Sequence, residues 1–491
     1  MTTAPDAIGT KHAIVVDLGF GDAGKGSTVD WLCSPAVRPA AAGVRRGGPA
    51  SPERAVPAPA APASRATPDA FDRRAADPDA SPYRAVIRFN GGAQAGHNVV
   101  TPDGRHHTFA QFGAGTLHGV PTHLSRFMLV APFALAAEAA HLAELGVPRP
   151  FDLLSADSRA LLTTPYHRAA NRVREAARDR TPGATRHGSC GMGIGETVSF
   201  SLAVSPDKPP RVGDCRSRPT LIRKLTELRD HLAADLELSG LRLPDDVPSP
   251  DCCADVYQAF AERVRIVDEE RTGYLAALLA SGPCVFEGAQ GVLLDEWYGF
   301  HPHTTWSTTT FANAEQLLTE SGQDLDAAIR LGVVRTYTTR HGAGPLVTED
   351  AALAPDLPEP HNETGAWQGA FRIGHFDAVA HRYALDVCGG ADALVVTHAD
   401  AAAEGRRLCW AYRTSPDVPP MTKLPRSLLP DLDYQRLLTK TVSKAAPLYQ
   451  EGPHDPRDWP DAIGEALATP VGLVSHGPTW RHKAVRQPCT N

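Results

Sequence analysis

Residues 11–32 read KHAIVVDLGFGDAGKGSTVDWL. Ala13, Ile14, Val15 and Val16 form an unbroken apolar run that stops at glycines, the pattern of a strand buried on both faces. Ser27 to Leu32 can open a helix. A strand, a glycine-rich turn and a helix start, in this order, make a phosphate-binding loop. The glycines turn backbone N–H groups toward an anion, the helix N-terminus favours negative charge, and Lys25 adds a point charge. The usual loop has Ser or Thr directly after its lysine, but Gly26 stands there. Asp22 is the odd member, because a carboxylate repels phosphate unless it binds a cation or takes a proton from the substrate. Taken alone, the stretch also reads as a plain glycine-rich strand–helix turn.

Working outward, Arg84–Phe89, Phe127–Val130, Pro283–Phe286, Leu331–Val334, Ala393–Val396 and Val471–Val474 are short strand-like runs. Helical patterns lie between them at Ala134–Leu145, Leu221–Leu236 and Val256–Leu279. The alternation predicts an α/β fold with a large, mainly parallel sheet covered by helices, and ligands at the carboxyl ends of its strands. The chain is 491 residues long and 42% hydrophobic. We expect one domain over 11–491 after a flexible lead at 1–10. Residues 35–81 are rich in Pro, Ala and Arg and poor in large apolar side chains, which predicts a disordered insertion. A net charge of −7 argues against a general nucleic-acid binder. No apolar run reaches the ~18 residues of a membrane span. Nine cysteines without a CxxC pair fit reduced thiols in a cytoplasm.

Four further stretches carry chemistry: RFNGGAQAGHN (88–98), GSCGMGIG (188–195), FEGAQGVLLD (286–295) and VRTYTTRHGAGP (334–345). With GDAGKG, in this order, they resemble the adenylosuccinate synthetase family from about Lys11 to Thr479. The resemblance implies a cytoplasmic, homodimeric ligase of purine biosynthesis that uses GTP and Mg2+. Such an enzyme phosphorylates the 6-oxo group of inosine monophosphate and displaces it with aspartate. It further implies Asp22 as general base and magnesium ligand, and His97 as general acid. Gly96 would offer its carbonyl to magnesium. Gly21, Ala23, Gly24, Lys25, Gly26, Ser27 and Asn98 would surround the GTP phosphates. His398, Asp400, Ser475 and Gly477 would meet guanine. Gln94, Cys190, Gln290 and Thr305, with Asp22 and Lys25, would contact the purine nucleotide.

The sequence departs from the family pattern at substrate contacts. Gln94 replaces an asparagine, Cys190 a threonine, Met192 an arginine and His398 a lysine. The amine-substrate loop, Gly365 to Asp377 with Trp367, keeps only Arg372 of several arginines that clamp aspartate. Arginine suits bidentate carboxylate binding. The donor therefore stays open between aspartate and another amine, and the acceptor between inosine monophosphate and a modified purine. A nucleotide-binding paralogue without turnover is a further reading. A kinase-like or switch GTPase, built on the loop alone, is weakened by Gly26.

Overall fold

The computed structural model describes residues 4–37, 81–180, 188–362, 367 and 369–486. Most of the expected insertion, 38–80, lies outside them.

A ten-stranded sheet forms the centre. Its strands are β1 (His12–Asp17), β2 (Val86–Arg88), β3 (Thr122–Leu124), β4 (Leu154–Asp157), β5 (Arg265–Val267), β6 (Val285–Gly291), β7 (Ala328–Arg335), β8 (Ala393–Thr397), β9 (Val471–Ser475) and β10 (Lys483–Val485). They run in the order β10-β9-β8-β7-β1-β6-β2-β3-β4-β5. All neighbours are parallel except β9 and β10.

Every residue of β1 is buried, as its continuous apolar run requires. Successive side chains go to opposite faces. Ala13 and Val15 join a core with Val29 and Leu32 of α1 (Lys25–Cys33), while Ile14 and Val16 join a second core with Leu317 and Val379. The first core also takes Leu135 and Leu142 of α2 (Pro132–Glu144), Tyr166 of α3 (Pro165–Arg180), Phe200 of α4 (Ile194–Ala203) and Leu225 of α5 (Arg218–Glu237). Burying each such side chain is worth about 1.5–3 kcal/mol relative to exposure. The sheet is thus covered on both sides.

Three expectations change. Val256–Leu279 is not one helix. A helix at Pro250–Arg263 ends before β5, and a separate one spans Tyr274–Ala280. Ile266 and Val267 are β-branched and Arg265–Val267 pairs with β4, so tertiary pairing overrides the helical periodicity. Phe127–Val130 is reduced to Leu129–Val130, which pairs with Leu161–Leu162 outside the main sheet. The lead at 1–10 is helical at Ala4–Ala7, and Ala7 and Ile8 are buried in the first core.

Candidate functional site

The carboxyl end of β1 turns directly into the glycine loop. Asp17, wholly buried, accepts from the N–H groups of Gly19 (2.7 Å), Gly21 (3.3 Å) and Ala23 (2.7 Å). The Lys25 ammonium, also buried, donates to Asp17 Oδ2 (3.2 Å) and to the Gly21 carbonyl (2.8 Å). Gly24 takes φ 95°, a left-handed value that glycine adopts freely, and α1 starts at the next residue. Gly26 is explained by packing. A Cβ there would lie 2.7 Å from His97 Cβ and 2.9 Å from the His97 carbonyl carbon. No room exists for the usual Ser or Thr.

Asp22 faces a cavity of about 690 Å³ that is also lined by Gly21, Gln94, Gly96, His97, Asn98, Cys190, Gln290 and Thr305. The two residues expected to do acid–base work, 75 positions apart, thus open into one space. Burial pushes the Asp22 carboxyl above its ordinary range, against the opposing pull of His341 and Arg335. His341 Nε2 is 3.7 Å from Asp22 Oδ2. Arg335, at the end of β7, donates from Nε to the Asp22 carbonyl (2.5 Å) and pairs with Glu359.

His97 is held from behind. Its Nδ1 is 2.6 Å from Glu287 Oε1, and Glu287 Oε2 accepts from Ala114 N–H (3.0 Å). Glu287 lies on β6 beside Val15 of β1 and is fully buried. Burial alone would raise its carboxyl, but Arg88, His97 and the Ala114 N–H outweigh that and hold it below the usual range. Burial lowers the His97 imidazole to about 4, with Glu287 opposing. Nδ1–H donating to a carboxylate leaves Nε2 without a partner among the described residues. Gln94 Nε2 and Oε1 and Gln290 Oε1 are likewise buried without partners. Orphaned buried polar atoms are rare, and here they share one cavity, as a ligand site requires. Gln290 also adopts φ 59°, a strained conformation for a non-glycine residue.

At another wall, α3 presents Asn171, Arg174, Glu175 and Arg178, the spacing of one helix face. Arg174 pairs with Glu196 (3.0 Å) and with Asp235, and Arg178 pairs with Glu175. Arg340 lines the cavity with its guanidinium on the carbonyls of Ala343, Pro345 and His303. Burial pushes it down to about 9.

The remaining predicted residues sit elsewhere. Arg372 is tied to Glu349 (2.7 Å) and to the Gly344 carbonyl (2.7 Å), and neither it nor Trp367 lines the cavity. Trp367 packs on Gly191, with Arg172 5.2 Å from its ring. Gly365 lies outside the described residues. His398 ends β8 in a left-handed conformation, with Nδ1 3.0 Å from Thr397 Oγ1. Thr397 Oγ1 in turn donates to the Ala23 carbonyl (2.6 Å), joining this strand end to the glycine loop. Asp400 is exposed on the following turn, and Ser475 Oγ donates to the Gly477 carbonyl (3.0 Å). Asp17, Glu287, His341 and Lys483 were missed by sequence reasoning. Glu287 lay inside a quoted motif, and Asp17 was a carboxylate ending an apolar strand. Lys483 becomes visible only when β10 pairs it with Ser475, beside the charge of Asp400.

The model of one family, adenylosuccinate synthetase, matches residues 74–484. The chain belongs to the adenylosuccinate synthetase family. It is accordingly a carbon–nitrogen ligase. An adenylosuccinate synthetase from Alkalilimnicola ehrlichii is 31% identical over 417 residues, covering 82% of this chain and 92% of that protein. One from Pseudomonas putida is 32% identical over 412 residues, covering 80% and 90%. Among solved structures, fully ligated adenylosuccinate synthetase from Plasmodium falciparum superposes with a TM-score of 0.73 at 19% identity, covering 97% of this chain and all of that one. Succinoaminodeoxyadenylate synthetase of cyanophage S-2L, bound to dGMP and dATP, gives 0.52 at 17% identity, covering 97% and 95%. These two likenesses speak to the fold.

Proposed function

We propose that this family member uses GTP to phosphorylate the 6-oxo group of a purine nucleotide, with inosine monophosphate as the default, and displaces it with an amine, with aspartate as the default. The products would be adenylosuccinate, GDP and phosphate. The observation that supports this best is the shared cavity of Asp22 and His97, with the orphaned amides of Gln94 and Gln290 beside them.

Asp22 takes the N1 proton, a transfer favoured by the desolvation that raises its carboxyl. O6, now nucleophilic, attacks the γ-phosphorus, and the bond to the β-phosphate oxygen breaks with GDP leaving. The amine nitrogen then attacks C6, the C6–O bond breaks with phosphate leaving, and the proton that the nitrogen sheds goes to the departing phosphate. His97 Nε2 faces the phosphoryl group; once the ring has taken up a proton, the Glu287 carboxylate on Nδ1 stabilises the imidazolium, and Nε2–H donates to the phosphoryl oxygen as charge develops. Gln94, Gln290, Cys190 and Thr305 position the purine nucleotide. Gly21 and Asn98, which line the cavity, would meet the phosphates, with the loop from Ala23 to Ser27 behind them.

Among the described residues no cluster of three or more His, Cys, Asp or Glu side chains forms a metal cage. The Asp22 carboxylate and the exposed Gly96 backbone fit magnesium, which binds one or two carboxylates together with substrate phosphates. When bound there, magnesium neutralises phosphate charge. Asp400 would accept from guanine N1 and N2, with His398, Ser475 and Gly477 around the base. Among the described residues no helix is long and apolar enough to cross a membrane. A cytoplasmic homodimer acting as one catalytic domain over 11–491 completes the reading.

One observation favours an amine other than aspartate. Arg372, the arginine left in the amine loop, is held by Glu349 and Gly344 away from the cavity. A mass-spectrometric screen of purine nucleotides against amino acids, with GTP and magnesium, identifies both substrates. Asp22→Ala abolishes phosphate release that depends on both nucleotide and amine, while GTP binding stays measurable. Turnover retained by that variant refutes the assigned base. Failure of every pair to turn over in the wild type leaves the non-catalytic paralogue as the answer.

A further inference from the structure

His341 stands between the assigned base and the amine loop. Its Nε2 is 3.7 Å from Asp22 Oδ2. On its other side lies Phe371 of the amine loop, with ring centroids 4.8 Å apart and planes at 61°. The backbone sets this contact. Thr338–His341 and Phe371–Gly374 form an antiparallel ribbon whose register places His341 opposite Phe371. The imidazole lines the same cavity as Asp22, His97 and Gln290.

One polar atom of this ring is unaccounted for. With Nε2–H facing the Asp22 carboxylate, Nδ1 carries a bare lone pair, and it is buried without a partner among the described residues. A buried acceptor left so costs free energy unless a ligand brings the donor. Asp22 takes the N1 proton only from hydrogen-bond reach, about 2.6–3.2 Å, and C6 is bonded to N1. An amine attacking C6 therefore arrives close to Asp22, and His341 guards the side that faces the amine loop. The arginines around it are committed elsewhere. Arg174 pairs with Glu196 and Asp235, Arg178 with Glu175, Arg335 with Glu359 and Arg372 with Glu349. Arg340 lines the cavity with no acidic partner, yet it donates to the carbonyls of Ala343, Pro345 and His303, which fix its guanidinium. An amino group brings N–H donors, and these match an acceptor nitrogen and not a cation.

We propose that His341 is a specificity-determining residue for the amine: Nδ1 accepts an N–H of the attacking amino group and so turns the nitrogen lone pair toward C6. The inference rests on the reading of Asp22 as the N1 base and of residues 365–377 as the amine loop. It gives the amine a hold at its reacting nitrogen, which the tied Arg372 does not offer.

The test is steady-state phosphate release by the full chain with GTP, magnesium, inosine monophosphate and each of the twenty standard amino acids in turn; the one that turns over fastest is the probe. His341→Phe keeps a ring against Phe371 and removes both nitrogens. Its KM for the probe rises at least tenfold, while the KM values for inosine monophosphate and GTP stay within threefold of wild type. His341→Asn sets an amide where Nδ1 was and returns the probe KM to within threefold. His341→Gln sets its amide where Nε2 was, beside Asp22, and does not. Should His341→Phe fail to fold, the Asn and Gln variants decide alone, with probe KM values at least tenfold apart. An unchanged probe KM in His341→Phe, an equal rise in the KM for inosine monophosphate, no recovery in His341→Asn, or recovery in His341→Gln as full as in His341→Asn each overturns the inference. Wild type that releases no phosphate with any of the twenty overturns the ligase reading on these substrates, and the inference with it.

Discussion

Restoring the residue that usually follows the loop lysine should damage this site. In Gly26→Ser the new Cβ would stand 2.7 Å from His97 Cβ, 2.9 Å from the His97 carbonyl carbon and 3.1 Å from the Asn98 carbonyl oxygen. Carbon atoms pack at about 3.5–4.0 Å, so α1 and the strand His97–Val100 must separate by about 0.8 Å. Two of the three obstacles are backbone, which does not swing aside. Gly26 is not among the left-handed glycines, so the cost is steric and not conformational. Overpacking of this kind costs about 1–3 kcal/mol, and the better helix propensity of Ser over Gly returns less than about 1 kcal/mol. The larger effect falls on chemistry. A shift of about 1 Å at a catalytic group lowers kcat by about a hundredfold. His97 is also pinned to Glu287 at 2.6 Å, so it cannot yield without loosening that bond. The assay is steady-state phosphate release with the screened substrates, beside a thermal melt. A Gly26→Ser variant with kcat within threefold of wild type and an unchanged Tm would refute the packing argument.

Three other outcomes are expected. Glu287→Gln removes the carboxylate behind His97 and sets an amide against the Ala114 N–H; kcat drops by about a hundredfold while the KM for GTP changes less than threefold, and equal losses in both would point to a purely structural role. Burial lowers His12 and His123 from 6.5 to about 4 and His167 to about 3. The unfolded chain therefore takes up protons first as pH falls below 6.5, and the stability present above that value drains away toward pH 4. At pH 5 the loss is about 2 kcal/mol per histidine, partly offset by the raised carboxyls of Asp295 and Asp377. A urea midpoint no lower at pH 5 than at pH 7 contradicts this. Trp459, fully buried in the second core, costs about 3–5 kcal/mol on truncation to Ala, read from denaturant unfolding.

What could be read in advance follows from where the information sits. The strand–loop–helix at 12–33 was legible because its apolar run and glycines are local. The meeting of Asp22, His97 and Gln290 was anticipated through the family resemblance. The strands β3, β4 and β5 were not visible. Each is only three or four residues long, too short for periodicity to register. The break at Arg265–Val267 and the alignment of Lys483 with Ser475 depend on partners far away in sequence. The role of Asp17 was hidden for another reason. A carboxylate at the end of an apolar run looks like a strand terminus until the backbone amides are seen turning back onto it.

The contact between Trp367 and Gly191 has a consequence for redesign. The indole occupies the space that any side chain at position 191 would need, 2.9 Å from the Cβ position. The amine loop and the glycine strip of 188–195 therefore interlock like a key and its ward. Anyone altering this enzyme to accept a new partner molecule will have to change both loops together, since a bulkier residue on one dislodges the other.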